Sequence, residues 1–355
     1  MSVGTGSRQG YVAIVGLAPE VSLGTHVTAT SFACFNSESM VRNRTEQKLE
    51  SICMNRDFTK RVTLEDTVEG SLEVDLDVSS DFVVWLMAQA MGGTVSSLTI
   101  GAGCTKHTLN PGDMAKNKFS ATSGTNTSSL SISVRKGGVL DAAGTATGDI
   151  IQYDGCRVNS LSIKGEVNGM CMLTAEIIGK SATLSSDSLT ASFSTVVPAT
   201  FVNVSITTGD SITNLAATEI IQSFEVVINN NLAGDAASRR LGTRTIDVLP
   251  PTRREVLFNI SQRWTTNTTY HRFNDNTATA FRVHIDTGVT AGAAAGNTTY
   301  SMVIDLPKCY LNSPGLPEIG DVGVVTLDQE WAAMYDSEQG YSVELELFNG
   351  TLDYN

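Results

Sequence analysis

Apolar and polar residues alternate with a period of two along most of this chain, the spacing that buries one face of a strand and wets the other. The pattern is clearest in Leu72-Glu-Val-Asp-Leu-Asp-Val78, Leu130-Ser-Ile-Ser-Val134, Val158 to Ile163, Phe224-Glu-Val-Val-Ile228, Val256-Leu-Phe-Asn-Ile260, Phe281-Arg-Val-His-Ile285 and Val343-Glu-Leu-Glu-Leu347. Clusters of Gly, Asn, Asp or Pro bound each run, the turn chemistry that ends strands. The chain is therefore expected to be mainly β. One segment departs from period two. Residues 79–93 carry a Ser/Asp start, a compact apolar body and a Gly-Gly stop, which predict a short buried helix over about Ser80–Met91.

The same pieces recur in the same order. Cys156-Arg-Val-Asn-Ser160, followed by Leu173 and Glu176, returns as Cys309-Tyr-Leu-Asn-Ser313, followed by Leu327 and Glu330. Leu130–Val134 matches Phe281–Ile285, Ser31-Phe32 with Asn36 matches Ser223-Phe224 with Asn229, and Leu72-x-Val-x-Leu76 matches Val256-x-Phe-x-Ile260. This self-similarity predicts a duplicated strand-rich domain. The Ser/Thr-rich stretch Ser181–Ser194 is the natural break, giving residues 1–184 and 185–355.

Charged residues are 17% of the 355, below the usual ~25%, with Ser, Thr, Gly and Ala in their place, a composition suited to sheets and turns. The balance of 24 Lys plus Arg against 37 Asp plus Glu, a formal charge of -13, disfavours tight wrapping of a phosphate backbone. The longest apolar run, Phe82–Ala88, falls far short of the ~20 residues that cross a bilayer, so no membrane role is expected. The N-terminal residues show no signal-peptide pattern, which predicts an intracellular fold. Six scattered cysteines without a C-x-x-C pair predict reduced, packed thiols.

Catalytic constellations are missing. There is no H-E-x-x-H, G-x-S-x-G, P-loop or EF-hand loop, and the histidines His26, His107, His271 and His284 lie far apart. Gly209-Asp-Ser211 has the look of a nucleophile turn, but a turn glycine and an Asx cap explain it equally well. An enzyme is not expected, and neither is a cofactor or metal.

The charges are unevenly placed. From Val62 to Thr105 and again from Cys309 to the end there is no Lys or Arg. Both zones contain strands in which every second residue is acidic: Glu73, Asp75 and Asp77 in one, Glu344 and Glu346 in the other. Alternation puts each set on one face. Cations gather in two long polar segments instead, Arg42, Arg44, Lys48 and Arg56 in the first and Arg239, Arg240, Arg244, Arg253 and Arg254 in the second. Long loops of this kind are usually interaction segments. Basic loops and acidic faces on one chain allow copies to attach head to tail, and such contacts build rings or filaments.

The run Val158-Asn-Ser-Leu-Ser-Ile-Lys-Gly165, then Leu173-Thr-Ala-Glu-Ile-Ile-Gly-Lys180, then Gln222-Ser-Phe-Glu-Val-Val-Ile-Asn-Asn-Asn-Leu232 with an Arg-rich loop behind it, resembles the tail tube proteins of tailed bacteriophages, in the branch with two fused tube domains. Val343-Glu-Leu-Glu-Leu-Phe-Asn-Gly350 is similar to the family's final strand. The resemblance implies two tandem β-sandwich or barrel-like domains with a flanking helix and long inter-strand loops. It also implies trimeric rings of pseudo-sixfold symmetry that stack into a tube, with the genome ejected through the lumen. Tape measure and tail terminator or tip proteins are implied partners, and the virion tail, assembled in the host cytoplasm, is the implied location. The family's arm to a neighbouring ring or subunit would fall at Asn36–Arg61 and Asn229–Arg254. A basic bore would hold DNA by counterion release, so Glu73, Asp75, Asp77, Glu344 and Glu346 are the lumen candidates. The alternative is a receptor- or carbohydrate-binding β module, which should display aromatic platforms. Aromatics are only 6%, and Trp85, Trp264 and Trp331 are dispersed.

Overall fold

The computed structural model describes residues 12–20, 22–50, 57–58, 60–92, 95–101, 103–111, 129–137, 146–147, 150–185, 188–218, 220–234, 238–292, 299–317 and 323–350. The chain runs first through β1 (Ile14–Pro19), β2 (Ser31–Ala33), β3 (Phe35–Glu38), β4 (Val41–Lys48), β5 (Arg61–Asp75), α1 (Asp81–Met91), β6 (Val95–Gly101), β7 (Cys104–Leu109), β8 (Leu130–Arg135), β9 (Ala146–Thr147), β10 (Ile150–Glu166), β11 (Met172–Gly179) and β12 (Ser181–Ser185), and β13 (Ser188–Leu189) follows past the expected break. It continues through β14 (Val204–Gly209), β15 (Leu215–Thr218), β16 (Ile221–Asn229), β17 (Glu255–Arg263), α2 (Thr268–Asn274), β18 (Thr279–Thr290), β19 (Thr299–Leu311), β20 (Thr326–Ala333) and β21 (Glu344–Asn349). The molecule is mainly β, and every strand pairing among the described residues is antiparallel.

The pairing scheme repeats from one half to the other. In the first half β10 serves two sheets. Its beginning pairs with β8 and β12, and its end pairs with β11, which in turn pairs with β5. In the second half β19 pairs in the same order, its beginning with β18 and β21 and its end with β20, which pairs with β17. Even the irregularities coincide. The register slips between Tyr153 and Cys156 against β8, and between Leu306 and Cys309 against β18. A bulge at Phe35/Ser37 in β3 has its counterpart at Ile221/Ser223 in β16.

Two junctions fuse the halves. The end of β10 pairs with β16, from Ser160 opposite Asn229 to Glu166 opposite Ser223. One sheet therefore runs β5, β11, β10, β16, β17, β20 across both halves. The hairpin β6–β7, which follows α1 in the first half, adds to β21 in the second.

Beneath the shared sheet lies one continuous core that includes Leu72, Val74, Leu161, Ile163, Leu173, Val226, Ile228, Phe258 and Trp331. Phe258, Phe281 and Trp331 meet edge to face, with centroids 5.0 and 4.9 Å apart. Helix α1 is buried on nearly every side, as its apolar composition requires. Gly92, at φ 61°, closes it in the left-handed conformation.

The segment Asn36–Arg61 is not the loop that its polarity suggested. It contains β4, which pairs with the beginning of β5 from Val41 opposite Glu69 to Lys48 opposite Arg61. Since β11 stops at Gly179 opposite Val68, this two-stranded arm projects beyond the sheet by on the order of 20 Å at ~3.4 Å per residue. All eight residues of β4 are exposed, so no face needed to be apolar and no alternation marked the strand.

Candidate functional site

Opposite residues of antiparallel strands share a face, so the registers define the outward side of the shared sheet. One row crosses it from Asp75 through Met172, Lys164, Glu225 and Asn259 to Glu330. The next row holds Glu73, Thr174, Ser162, Val227, Leu257 and Ala332. Glu69, Glu166, Glu176 and Asp328 lie on the same side, so both halves contribute carboxylates to it while Lys164 and Arg263 are its cations. Lys164, Met172, Glu225, Asn259, Asp328 and Glu330 line a hollow of about 640 Å³, so this face is concave where β10 meets β16 and its neighbours.

Neutral donors hold the carboxylates in place. Ser162 Oγ donates to Glu225 at 2.6 Å, Asn36 Nδ2 to Asp75 at 2.8 Å and Asn312 Nδ2 to Glu330 at 3.0 Å. Lys164 Nζ stands 3.8 Å from Glu73. Hydroxyl and amide donors orient these acids without cancelling their charge, so the face stays negative as a whole.

The five acids singled out by alternation do not share one surface. Glu73 and Asp75 belong to the concave face. Asp77 lies past the end of β5, where its Oδ1 accepts from the Ser79 N–H at 2.9 Å and from Ser79 Oγ at 2.6 Å, turning the chain into α1. Glu344 and Glu346 are on β21, which is linked to that row only through β19 and β20. Glu346 pairs with Lys106 at 2.5 Å, and Glu344 lies opposite Asp305, whose carboxylate grips Arg282 at 2.6 and 2.7 Å. Burial, then Glu346 and Asp305, pushes the Glu344 carboxyl up from its ordinary value. Glu166, Glu176 and Glu225 are acids that alternation missed, because none has a second acid two positions away in its strand, whereas Asp328 and Glu330 do alternate in β20 and were not singled out. The usable signal was the shared parity of acids over neighbouring strands.

The two basic segments meet. Arg42 grips Asp66 through both carboxylate oxygens, Arg44 lies 3.7 Å from the same group, and Arg42 Nη1 also donates to the Ala182 carbonyl at 3.2 Å. Across from them Arg239 approaches Glu65 at 3.7 Å, and the Asp66 N–H donates to the Arg244 carbonyl at 3.1 Å. The hydrogen bond from Arg42 holds the Asp66 carboxyl below its ordinary range and raises Arg42. Arg240 pairs with Asp247 at 3.4 Å, and Lys48 caps the Phe58 ring at 5.2 Å. Arg254 turns inward to the end of α1. Arg253 remains exposed, and Arg56 lies outside the described residues. Arg42, Arg239 and Arg254 each hold a partner within the chain.

The other leads are local. Ser211 Oγ bonds to Thr213 Oγ1 at 3.1 Å in the exposed turn between β14 and β15. Among the described residues no cluster of His, Cys, Asp and Glu has the arrangement of a metal site, and no helix is long and apolar enough to cross a membrane.

The family model described as phage tail tube protein matches residues 10–333, nearly the whole length. The chain belongs to the phage tail tube protein family. No curated protein matches it. Membership gives it a structural role as a tail component of a bacteriophage, in line with its mainly β, antiparallel architecture.

Proposed function

We propose that three copies of this chain close into a ring of pseudo-sixfold symmetry, that rings stack into the tail tube, and that the concave acidic face lines the lumen through which the genome leaves. The two halves, residues 1–184 and 185–355, act as fused copies of one tube domain. Their matching registers and bulges support this reading. Within the chain, β10 meeting β16 is a sample of how one copy's sheet continues into the next. Among the described residues the shared sheet also has two open margins, the outer edge of β3 and β4 and the Thr326–Gln329 edge of β20, and unpaired edges are templates for further pairing. Arg44, Lys48, Arg240, Arg244 and Arg253 remain the candidates for contact between subunits or rings.

The observation that carries the proposal is the row Asp75, Lys164, Glu225, Glu330, in which acids from both halves share one face. Duplex DNA presents a negative charge about every 1.7 Å, so a basic wall would retain it and an acidic one keeps it moving. Glu73 and Asp75 thus stay lumen candidates, joined by Glu225 and Glu330. Asp77, Glu344 and Glu346 are held by local partners away from that row. In a tail, the tube's inner wall would first enclose a tape measure protein, and its ends would meet terminator and tip proteins.

Negative-stain microscopy of the purified chain tests the assembly, with rings or tubes expected and a dispersed globule fatal to the reading. Glu73→Lys with Glu225→Lys and Glu330→Lys, built into an otherwise complete tail, tests the lumen. DNA release should slow and become salt-dependent. Unchanged release would remove the face from the lumen.

A further inference from the structure

The end of the shared sheet that lies away from the arm carries an apolar hollow that is unfilled among the described residues. It measures about 220 Å³ and is lined by Val167, Phe201, Val204, Ile206, Ile221 and Phe224, with Glu166 as its charged lining residue. Around it Val202 is 75% exposed, Ile220 57% and Val167 49%. Val202 and Ile220 each adjoin a residue that lines the hollow, and exposed apolar side chains beside an apolar hollow are the surface that an interaction site uses.

The arm formed by β4 and the start of β5 has the converse problem. A two-stranded ribbon is marginal in water by itself, and this one exposes Leu49, Phe58, Val62 and Leu64, with Phe58 at 61%. Lys48 and Lys60 lie beside those apolar groups and are exposed.

The registers fix where the two features sit. Asp75 is opposite Met172, and Met172 is opposite Lys164, so the β10–β11 turn with Val167 lies at the Asp75 end of β5. The arm leaves from the other end, beyond Val68. A copy displaced along the strand direction therefore brings its arm toward this groove. Such a contact joins unlike surfaces, does not close on itself, and repeats indefinitely.

We propose that the groove bounded by Val167, Phe201, Val204 and Ile221 is the seat for the arm of a second copy of this chain in the adjoining ring. Leu49, Phe58, Val62 and Leu64 supply the apolar contact, and Lys48 or Lys60 meets Glu166. The proposal rests on the tube reading and adds the receiving surface to it.

The test uses the full chain. Wild-type protein is first assembled into tubes. Val167→Asp combined with Ile220→Asp, at positions exposed enough to accept the charge, is expected to leave rings and abolish tubes by sedimentation and microscopy, as is Phe58→Asp alone. In a background lacking Cys34 and Cys53, Phe58→Cys with Val167→Cys should give on oxidation a ladder of linked chains in assembled protein and none in dispersed protein. Tubes of wild-type length from the groove variant, together with no ladder, would overturn the groove assignment while leaving the tube reading intact, and the groove would then serve a different partner or none. Wild-type protein that forms neither rings nor tubes would instead bring down the tube reading and this inference with it.

Discussion

Arg254, in the second half of the chain, donates from Nη2 to the carbonyl of Met91, the last residue of α1, at 2.7 Å. Its Nε donates to Asn230 Oδ1 at 3.2 Å, and the Asn230 amide in turn reaches the carbonyls of Ala90 at 2.8 Å and Val158 at 3.2 Å. A cation from one half thus satisfies the helix end of the other, where the final carbonyls lack partners and the helix dipole is negative. Arg254→Ala should cost about 1–3 kcal/mol through the orphaned buried acceptors. Because the brace spans both halves, chemical denaturation should keep a single transition with a lower midpoint. Two separated transitions in the variant would show that α1 is secured by other means.

Asp66 links acid stability to the arm. Its carboxyl is held below the ordinary value, first by the hydrogen bond from Arg42, so the folded chain binds its proton less readily than the unfolded chain does. The stabilisation is fully present above the unfolded carboxylate range and is lost as pH falls through the folded value. Asp66→Asn should therefore melt below wild type at pH 7, and the two melting curves should converge as the pH drops under about 3.9. A gap that persists unchanged into acid would assign the loss to packing.

Glu344 carries the opposite sign. Burial raises its carboxyl, with Glu346 and Asp305 adding to the effect. The folded chain holds that proton more readily than the unfolded chain, so stability declines as pH rises from the unfolded value through the folded one. Glu344→Gln should raise the melting temperature at pH 7 and make no difference well below pH 4. A destabilised variant at neutral pH would mean that the charged form is needed by Arg282 or Lys106.

The strands of both halves and the helix after Asp77 were legible because burial of one face writes itself as period two and a buried helix writes a dense apolar run with cap residues at its ends. Pairing was not legible. The sequence pattern matches Leu72 with Val256, whereas the registers through Glu176 and Glu330 match Leu72 with Ile260, four residues further on. Any even displacement preserves the buried face, so alternation alone leaves the register open. The same blindness applies to the acids. Glu73 and Glu346 look alike in their strands, yet one lies on the concave face and the other, on β21 beyond β19, is paired with Lys106. β4 escaped notice for the opposite reason, since a ribbon wet on both sides has no pattern to show.

Gly70 is where β5 allows the chain to cross into the arm. A Cβ placed there would lie 2.5 Å from the Met40 Cα and 2.7 Å from the Met40 nitrogen, both backbone atoms that cannot rotate away. Met40 is fully buried, and its carbonyl accepts from Tyr153 Oη and Lys136 Nζ, each at 2.8 Å. Gly70→Ala must push Met40 outward, lengthen those hydrogen bonds and loosen the base of the arm, a cost of about 1–3 kcal/mol for overpacking a tight site. The expected result is a lower melting temperature together with faster tryptic cleavage at Arg42, Arg44 and Lys48, while the fragment beyond β5 stays protected. Cleavage at the wild-type rate would mean that the crossing can widen without disturbing the arm, and that the absence of a side chain at this position serves only the sheet.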